Sequence, residues 1–281
     1  MITVTEPGIY EMTAEDYHRD PVPGGSLSSS GARRLLPPGC PALYRWEQDN
    51  PQPAKKTFDY GHAAHKLVLD EGPELVVVDA PLWNTDAIRA EVAAIRAEGG
   101  IPLKKHEYDQ IEEMAAAIRR HPVAGALFRP GTGVAEESIF WQDPATGIWL
   151  RCRPDWRRPG VIVDYKTTTD AAPSAVAKAI DTYGYHQQDP FYTDGAAAVG
   201  LGDHRFLFAF QAKNPPYLVT VVELDDEARR IGAAKNRRAI EIYAQCQADG
   251  KWPDWHGDLT EIPYLSLPRY AAIRDTEEYL T

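Results

Sequence analysis

The sequence is poor in cysteine and has no long apolar run. Its three cysteines, Cys40, Cys152 and Cys246, form no zinc-binding spacing and are too few for a four-cysteine iron–sulfur cluster. We therefore expect no zinc and no iron–sulfur cluster, and we expect the thiols to be reduced. No apolar stretch is long enough to cross a membrane and no signal peptide is evident, so the composition predicts a cytoplasmic protein without membrane contact.

Basic residues are also in deficit. The chain has 30 Lys and Arg against 41 Asp and Glu, a net charge of −11. Proteins that coat themselves with nucleic acid are usually basic. The deficit argues against broad, non-specific binding by the outer surface, but it permits a local basic channel, because the position of charge matters more than its sum.

Nothing in the sequence divides the chain into separate domains. Its length would allow two domains, but it has no Gly/Ser-rich linker, no long charge run and no internal repeat. We expect one domain over residues 1–281, with a helical N-terminal portion at about 1–70 and an irregular C-terminal tail at about 251–281. The order of predicted strands and helices indicates an α/β fold with a mixed central sheet flanked by helices.

The stretch from 148 to 168 predicts two strands joined by a turn. Residues 149–153 alternate in polarity, and 161–163 are β-branched and apolar, as in a strand buried on both faces. Residues 157–160 include Pro and Gly and supply the turn. A hairpin closed in this way places Asp155 opposite either Ile162 or Asp164, and either register brings the two carboxylates together.

Asp155 and Asp164 would repel each other unless a cation lies between them. Carboxylate oxygens suit Mg²⁺, for which Mn²⁺ can substitute. Lys166 shares a strand face with Asp164, so its ammonium could hold a water or help to deprotonate it. This combination suits metal-assisted hydrolysis of a phosphodiester. The alternative is an ordinary surface Asp–Lys pair, but the apolar run before Asp164 makes a merely solvated charge costly there.

Two further patterns flank the predicted hairpin. Upstream, residues 61–65 (GHAAH) lie on a predicted helix, with His65 on its apolar stripe and Gly61 allowing close approach of a neighbouring element. Downstream, Gln188 and Tyr192 are four residues apart and share a helix face. A lone histidine on an apolar face is usually a core residue, and Gln188 and Tyr192 could simply pack the core.

In this order the patterns resemble the PD-(D/E)XK nuclease core, in its RecB-like branch. The matching segments are Arg153-Pro154-Asp155, then Val163-Asp164-Tyr165-Lys166-Thr167 for the DxK motif, Gly61 to His65 for the GxxxH motif, and Gln188 to Tyr192 for the QxxxY motif. The segments at 27–30, 41–46 and 184–192 resemble the phage and prophage exodeoxyribonuclease VIII (RecE-type) group. The resemblance extends roughly from Tyr10 to Trp252.

The resemblance implies a restriction-endonuclease-like fold and roles for individual residues. Asp155, Asp164 and the backbone carbonyl of Tyr165 would ligate one or two Mg²⁺. His65 would complete the metal shell, and Lys166 would position or activate the attacking water. Gln188 and Tyr192 would orient Lys166 or the scissile phosphate. Glu136 or Glu137 could add a carboxylate, and we favour Glu137.

The resemblance also implies a substrate and partners. The chain would be an Mg²⁺-dependent deoxyribonuclease that resects linear double-stranded DNA 5′ to 3′ and exposes 3′ overhangs for phage-type recombination. We expect a homo-oligomeric ring around DNA and a single-strand annealing protein as a partner. The alternatives are a single-strand or flap nuclease of the same fold and a non-catalytic accessory protein that binds DNA ends. The intact Asp155, Asp164 and Lys166 argue against the accessory protein.

Eight residues are candidates for contacts to DNA phosphates. Arg151 and Arg153 share strand parity with Asp155, and Arg157 and Arg158 lie at the predicted hairpin tip. The other four, on a predicted short helix capped by Ser29 or Ser30, are Ser29, Ser30, Arg33 and Arg34. The alternative is that these arginines pair with the surplus of acidic residues.

Overall fold

The computed structural model describes residues 2–50, 56–257 and 262–280, except for the side chains of residues 56–60 and 62. The strands are β1 (Gly8–Tyr10), β2 (Leu27–Ser28), β3 (Leu75–Val77), β4 (Ile101–Leu103), β5 (Val134–Ala135), β6 (Ser138–Gln142), β7 (Trp149–Cys152), β8 (Trp156–Arg158), β9 (Val161–Thr168), β10 (Arg205–Ala212) and β11 (Val219–Glu223). The helices are α1 (Ala14–His18), α2 (Ser29–Leu35), α3 (Pro41–Asp49), α4 (Lys56–Leu69), α5 (Asp86–Ala97), α6 (Lys105–Arg120), α7 (Ala124–Leu127), α8 (Pro173–Tyr183), α9 (Gln188–Ala198), α10 (Asp226–Asp249) and α11 (Arg269–Tyr279), with a 3₁₀ turn at Tyr185–Gln187. None of these helices combines the length and the apolar character that crossing a bilayer requires.

A five-stranded mixed sheet lies at the centre, in the order β11-β10-β9-β8-β5. Strands β9 and β10 are parallel, and the other pairs are antiparallel. Val163 and Tyr165 of β9 pack in a core with α4 and α6. Ile162, on the opposite face, packs with Phe206 and Phe208 against α8 and α9. The apolar run of β9 is therefore buried on both faces, as the sequence predicts for a strand between two helical layers.

A second, four-stranded sheet has the order β1-β6-β7-β2. One face packs against α2, α3, α9 and α10 through a core that includes Trp141, Leu150 and Phe191. Phe140 on the other face packs against the N-terminal Tyr17 and Val22. Helix α9 contributes to the cores of both sheets, so it fixes one sheet relative to the other.

A sharp bend links the two sheets, and the sequence did not predict it. Residues 134–142 and 149–158 form one antiparallel pair with constant register, in which Ala135 faces Trp156 and Ile139 faces Cys152. In the middle, Glu136 adopts a left-handed conformation with φ of 56°, and its amide donates to the carbonyls of Pro154 (3.1 Å) and Asp155 (3.2 Å). The pair bends there, so one half joins each sheet.

The bend corrects the predicted hairpin. Its first arm is β8, not residues 149–153, because the chain leaves the four-stranded sheet before Asp155. Strand β8 pairs with β9 so that Trp156 faces Val163, and continuing this register places Asp155 opposite Asp164. Of the two registers considered from the sequence, the structure adopts the one that pairs the carboxylates.

Two further features lie outside the two larger sheets. Between α5 and α6, residues 101–103 form β4, which pairs in parallel with β3. The C-terminal tail, expected to be irregular, contains the helix α11, and residues 258–261 of that tail lie outside the described residues. None of the α11 residues is buried. The helix therefore has no buried apolar stripe from which the sequence could have predicted it.

One glycine permits the close contact that positions the start of α9. Gly232 of α10 packs against the 3₁₀ turn, and a Cβ atom placed there would lie 1.9 Å from the carbonyl oxygen of His186. Gly61, by contrast, has no atom of the described residues within 4 Å of a Cβ built on it. The close approach that the sequence suggested for Gly61 is therefore found at Gly232 instead.

We expect Gly232→Ala to lower the free energy of unfolding by about 2–3 kcal/mol, because backbone must move to admit the methyl group. Gly61→Ala is the matched control, also in a helix interior. It should raise stability by about 0.5–1 kcal/mol through helix propensity. Urea denaturation of both variants measures the difference, and equal stabilities would contradict the assigned close contact.

Candidate metal centre

The bend brings two carboxylates and an imidazole together. Atoms of His65, Glu136 and Asp155 able to bind a metal all lie within 4.8 Å of one another. His65 projects from α4, with Nδ1 3.9 Å from Asp155 Oδ2, and its ring tilts against Tyr165 at a centroid distance of 5.0 Å. The amide of Tyr165 donates to Asp155 Oδ2 over 2.7 Å and so holds that carboxylate beside β9.

The structure selects Glu136 rather than Glu137 for this cluster. Glu137, which the sequence analysis favoured, forms a two-pronged ion pair with Arg157, at 2.6 and 3.0 Å. The left-handed backbone at Glu136 turns its side chain toward Asp155. The regular alternation of side chains along a strand does not predict such a turn, so the sequence offered little basis for choosing between the two adjacent glutamates.

Asp164 lies on the α9 side of β9 and is almost fully buried. Its Oδ1 accepts a hydrogen bond from Gln188 Nε2. Its Oδ2 forms an ion pair with Lys166 Nζ at 2.5 Å. The shared strand face of Asp164 and Lys166 follows from their spacing of two residues.

Burial and neighbouring charges shift the pKa values of Asp155 and Lys166. Burial first, then the charges of Asp164 and Glu136, raise the pKa of Asp155 well above its usual range, against the opposing effects of Lys166 and the Tyr165 amide. Burial lowers the pKa of Lys166, but the charges of Asp164 and Asp155 outweigh it and the net shift is upward. Lys166 is therefore an ammonium at neutral pH.

The residues of the predicted QxxxY pattern lie on α9. Gln188 reaches Asp164, as described above, and its Oε1 is buried without a partner among the described residues. Tyr192 packs edge-on against Phe206 at 5.7 Å, and burial raises the pKa of its hydroxyl well above the usual range. Its ring is part of the core, while the charge of Asp164 still acts on its hydroxyl.

Tyr185 is a residue of this region that the sequence analysis did not single out. Lys166 Nζ lies over its ring, 4.9 Å from the centroid. The ring packs at 6.1 Å from both Phe208 and Phe210 of β10. The only sequence signal was its place in the 184–192 run, which carried no assigned chemistry.

Most of the candidate phosphate-binding arginines are engaged inside the protein. Arg151 binds Asp20 and Ser26, and Arg153 binds Glu136 and Ser138. The parity that related both to Asp155 does not hold, because the strand ends at Cys152 before Asp155 is reached. The others contact Glu137 (Arg157), the Ala126 carbonyl (Arg158) and Glu47 (Arg34).

The remaining candidates lie on α2. Ser28, rather than Ser29 or Ser30, caps this helix by accepting from the amide of Gly31. Ser30 Oγ lies 3.0 Å from Ser28 Oγ. Ser29 is buried, and its hydroxyl has no hydrogen-bond partner among the described residues. Nη1 of Arg33 is likewise buried and has no partner among them.

The described residues fit a divalent cation. Burial and the charges of Asp164 and Glu136 raise the pKa of Asp155, and a cation beside these carboxylates would offset both effects. Carboxylate oxygens and one imidazole form a donor set suited to Mg²⁺ or Mn²⁺. The carbonyl of Tyr165 lies on β9 between Asp164 and Lys166, and its role as a ligand stays a prediction.

A family model described as "PDDEXK-like domain of unknown function (DUF3799)" matches residues 38–261. The crystal structure described as that of a "Putative exonuclease" from Eubacterium rectale has a TM-score of 0.61 at 13% sequence identity, covering 94% of this chain and 98% of that chain. A structure of a protein named SSO0001 covers 68% of this chain and 88% of that one, with a TM-score of 0.29 at 10% identity, too low to indicate a shared fold. No curated protein matches.

These findings confirm the fold class expected from the sequence. The family match covers most of the chain, and the E. rectale structure is similar over nearly its full length. At 13% identity, that similarity concerns the fold alone. The resemblance to the PD-(D/E)XK nuclease core is thus confirmed, while the narrower exodeoxyribonuclease VIII likeness stays a prediction.

Two conservative substitutions separate the roles of the neighbouring glutamates. With Mn²⁺ at 100 times its dissociation constant, we expect the wild-type free energy of unfolding to rise by about 2.7 kcal/mol. Glu136→Gln should lose most of this increment, because a carboxylate leaves the cluster. Glu137→Gln should keep the increment. Both metal-free variants should be less stable than wild type, because each loses an ion pair, with Arg153 at Glu136 and with Arg157 at Glu137.

Thermal unfolding with and without Mn²⁺ measures both effects. A Glu136→Gln protein with the full Mn²⁺ increment, or a Glu137→Gln protein without it, would contradict the assignment.

Proposed function

The chain belongs to the PDDEXK-like family, and on this premise we propose that it is a divalent-metal-dependent DNA nuclease. The observation that carries the proposal is that Asp155, just before β8, lies opposite Asp164 of β9, with Lys166 beside Asp164 and with Asp155 also in the cluster with His65 and Glu136. A core built for stability alone would not bury two repelling carboxylates at such a cost.

The proposed chemistry is hydrolysis of a phosphodiester. His65, Glu136, Asp155 and Asp164 would hold Mg²⁺, with Mn²⁺ as a substitute and the Tyr165 carbonyl as a further ligand. When bound, the cation supplies Lewis-acid stabilisation of the negative charge that develops on the phosphate. The protein's own contribution is to fix these ligands on α4, on β9 and on the two segments of the bend, so that little reorganisation is needed during the reaction.

Lys166 would act as a fixed positive charge and hydrogen-bond donor. Its raised pKa keeps the ammonium protonated, so it can donate to the attacking water or to a phosphate oxygen. Gln188 orients Asp164 through its amide, and Asp164 in turn holds Lys166. Tyr192, one helical turn further along α9, would help to orient Lys166 or the scissile phosphate.

The finer proposal follows the sequence resemblance. The substrate would be the end of linear duplex DNA, resected 5′ to 3′ to leave 3′ overhangs for phage-type recombination. A homo-oligomeric ring would enclose the duplex, and a single-strand annealing protein would receive the product strand. The internal pairing of most candidate arginines supports a narrow phosphate-binding path rather than a broadly basic surface, in agreement with the net charge of −11.

Digestion of linear duplex labelled at either end tests the activity and its direction. With Mg²⁺ we expect early release of a 5′ label, late release of a 3′ label, and no cutting of a covalently closed circle. A chelator should abolish cleavage. Cutting of the circle would show an endonuclease, early release of the 3′ label would reverse the polarity, and an inert protein would contradict the proposed activity.

Lys166→Ala separates chemistry from metal binding. We expect cleavage to fall roughly 100-fold or more, because a donor aimed at the reacting centre is lost. Mn²⁺ affinity, measured by calorimetric titration, should not fall, because the ammonium is not a ligand. Lys178→Ala on α8, outside the site, is the control and should cleave at the wild-type rate. Collapse of Mn²⁺ binding in Lys166→Ala would assign the lysine a structural role.

A further inference from the structure

Arg33 differs from the other arginines considered for phosphate contacts. Its neighbour Arg34 is exposed and forms an ion pair with Glu47 at 3.4 Å, whereas Arg33 has no acidic partner among the described residues. Nη1 of Arg33 is buried and has no hydrogen-bond partner in the part of the chain that the structure describes. Burial lowers the pKa of this guanidinium, which reflects the cost of holding the charge there. An unpaired buried charge is expensive unless a ligand completes it.

A second unsatisfied donor lies one helical turn away. Ser29 precedes Arg33 by four residues on α2, so the two side chains share a helix face. Ser29 is only 3% exposed, and its hydroxyl lacks a partner among the described residues. A guanidinium and a hydroxyl together form a donor set for an anion with several oxygens.

Tyr185 links this donor pair to the metal centre. The Arg33 guanidinium carbon lies over the Tyr185 ring at 5.7 Å, and Lys166 Nζ lies over the same ring at 4.9 Å. Gly184 leaves room for the arginine, since a Cβ there would lie 3.1 Å from Arg33 Cδ. The ring, held by Phe208 and Phe210, therefore spaces two cations in a fixed arrangement.

We propose that Ser29 and Arg33 form a second phosphate subsite, which binds a phosphate of the substrate strand other than the one cleaved, and that Tyr185 is the positioning residue that holds this subsite beside Lys166. The inference rests on the proposed nuclease function and deepens it. The phosphate is either an internal phosphodiester or the terminal monoester of the strand. Both offer oxygens to the same donors, and substrates with different ends distinguish them.

The test is the salt dependence of binding to a blunt linear duplex, with Ca²⁺ in place of Mg²⁺ to block cleavage. Loss of one phosphate contact lowers the slope of log affinity against log salt by about one. We expect Arg33→Gln to lose about one unit, Arg33→Lys to keep the slope with weaker binding, and Ser29→Ala to weaken binding at an unchanged slope. Arg34→Gln, on the same helix, is the matched control and should match wild type.

Duplexes with 5′-phosphate and 5′-hydroxyl ends identify the source of the phosphate. A loss in Arg33→Gln that occurs only with the 5′-phosphate assigns the terminal monoester. An equal loss with both ends assigns an internal phosphodiester. An Arg33→Gln slope equal to wild type on both duplexes overturns the proposal, as does an equal loss in Arg34→Gln.

The role of Tyr185 is tested through its coupling to Arg33. Tyr185→Leu should lower the salt slope of binding, whereas Tyr185→Phe, which keeps the ring, should have the wild-type slope. In the double variant Arg33→Gln/Tyr185→Leu, the loss should not exceed that of Arg33→Gln alone. Additive losses would overturn the positioning role, since independent structural damage adds.

The two proposals fail in different ways. If wild type binds the duplex and Arg33→Gln binds it with the same slope, only the phosphate subsite is contradicted. If wild type binds duplex but neither Mg²⁺ nor Mn²⁺ supports cleavage, the nuclease function is contradicted while the phosphate subsite can still be observed. A wild-type protein that binds neither duplex contradicts both.

Discussion

The amide of Glu136 donates to two carbonyls of the opposite segment, those of Pro154 and Asp155. The rest of the candidate metal centre depends on these hydrogen bonds at the bend. A long antiparallel pair would otherwise run straight through a single sheet. The left-handed backbone at Glu136 is costly for a residue other than glycine, by about 1 kcal/mol or more, and persists because both halves of the pair are tied into sheets. The bend leaves Asp155 outside regular pairing, so its side chain can reach the amide of Tyr165 and face Asp164.

The parts of the site that the sequence predicted are those set by local periodicity. The apolar run before Asp164 and the spacing of two to Lys166 were sufficient to place both on one face of a buried strand. The register opposite Asp155 stayed open between Ile162 and Asp164 in the sequence, and the structure adopts the one that follows from a two-residue turn at Pro159-Gly160. His65, Gln188 and Tyr192 were predicted as a group because motif order carries information that no single residue has.

The parts that the sequence did not predict depend on contacts between distant segments. Whether Glu136 or Glu137 joins Asp155 is decided by a backbone turn that only the pairing with residues 153–155 imposes. The arginines illustrate the same limit, because partners such as Asp20 for Arg151 lie far away along the chain. The composition shows that acidic residues outnumber basic ones. Only the fold shows that Arg33 is a candidate arginine without an acidic partner among the described residues.

The ion pair between Lys166 and Asp164 has a consequence for the metal-free protein. There the ammonium already serves as the counter-ion of the buried aspartate. This counter-ion is tethered to β9 two residues from Asp164, so it cannot dissociate as a bound cation can. Loss of a metal would therefore leave Asp164 paired, and Asp155 would be the carboxylate whose charge burial penalises.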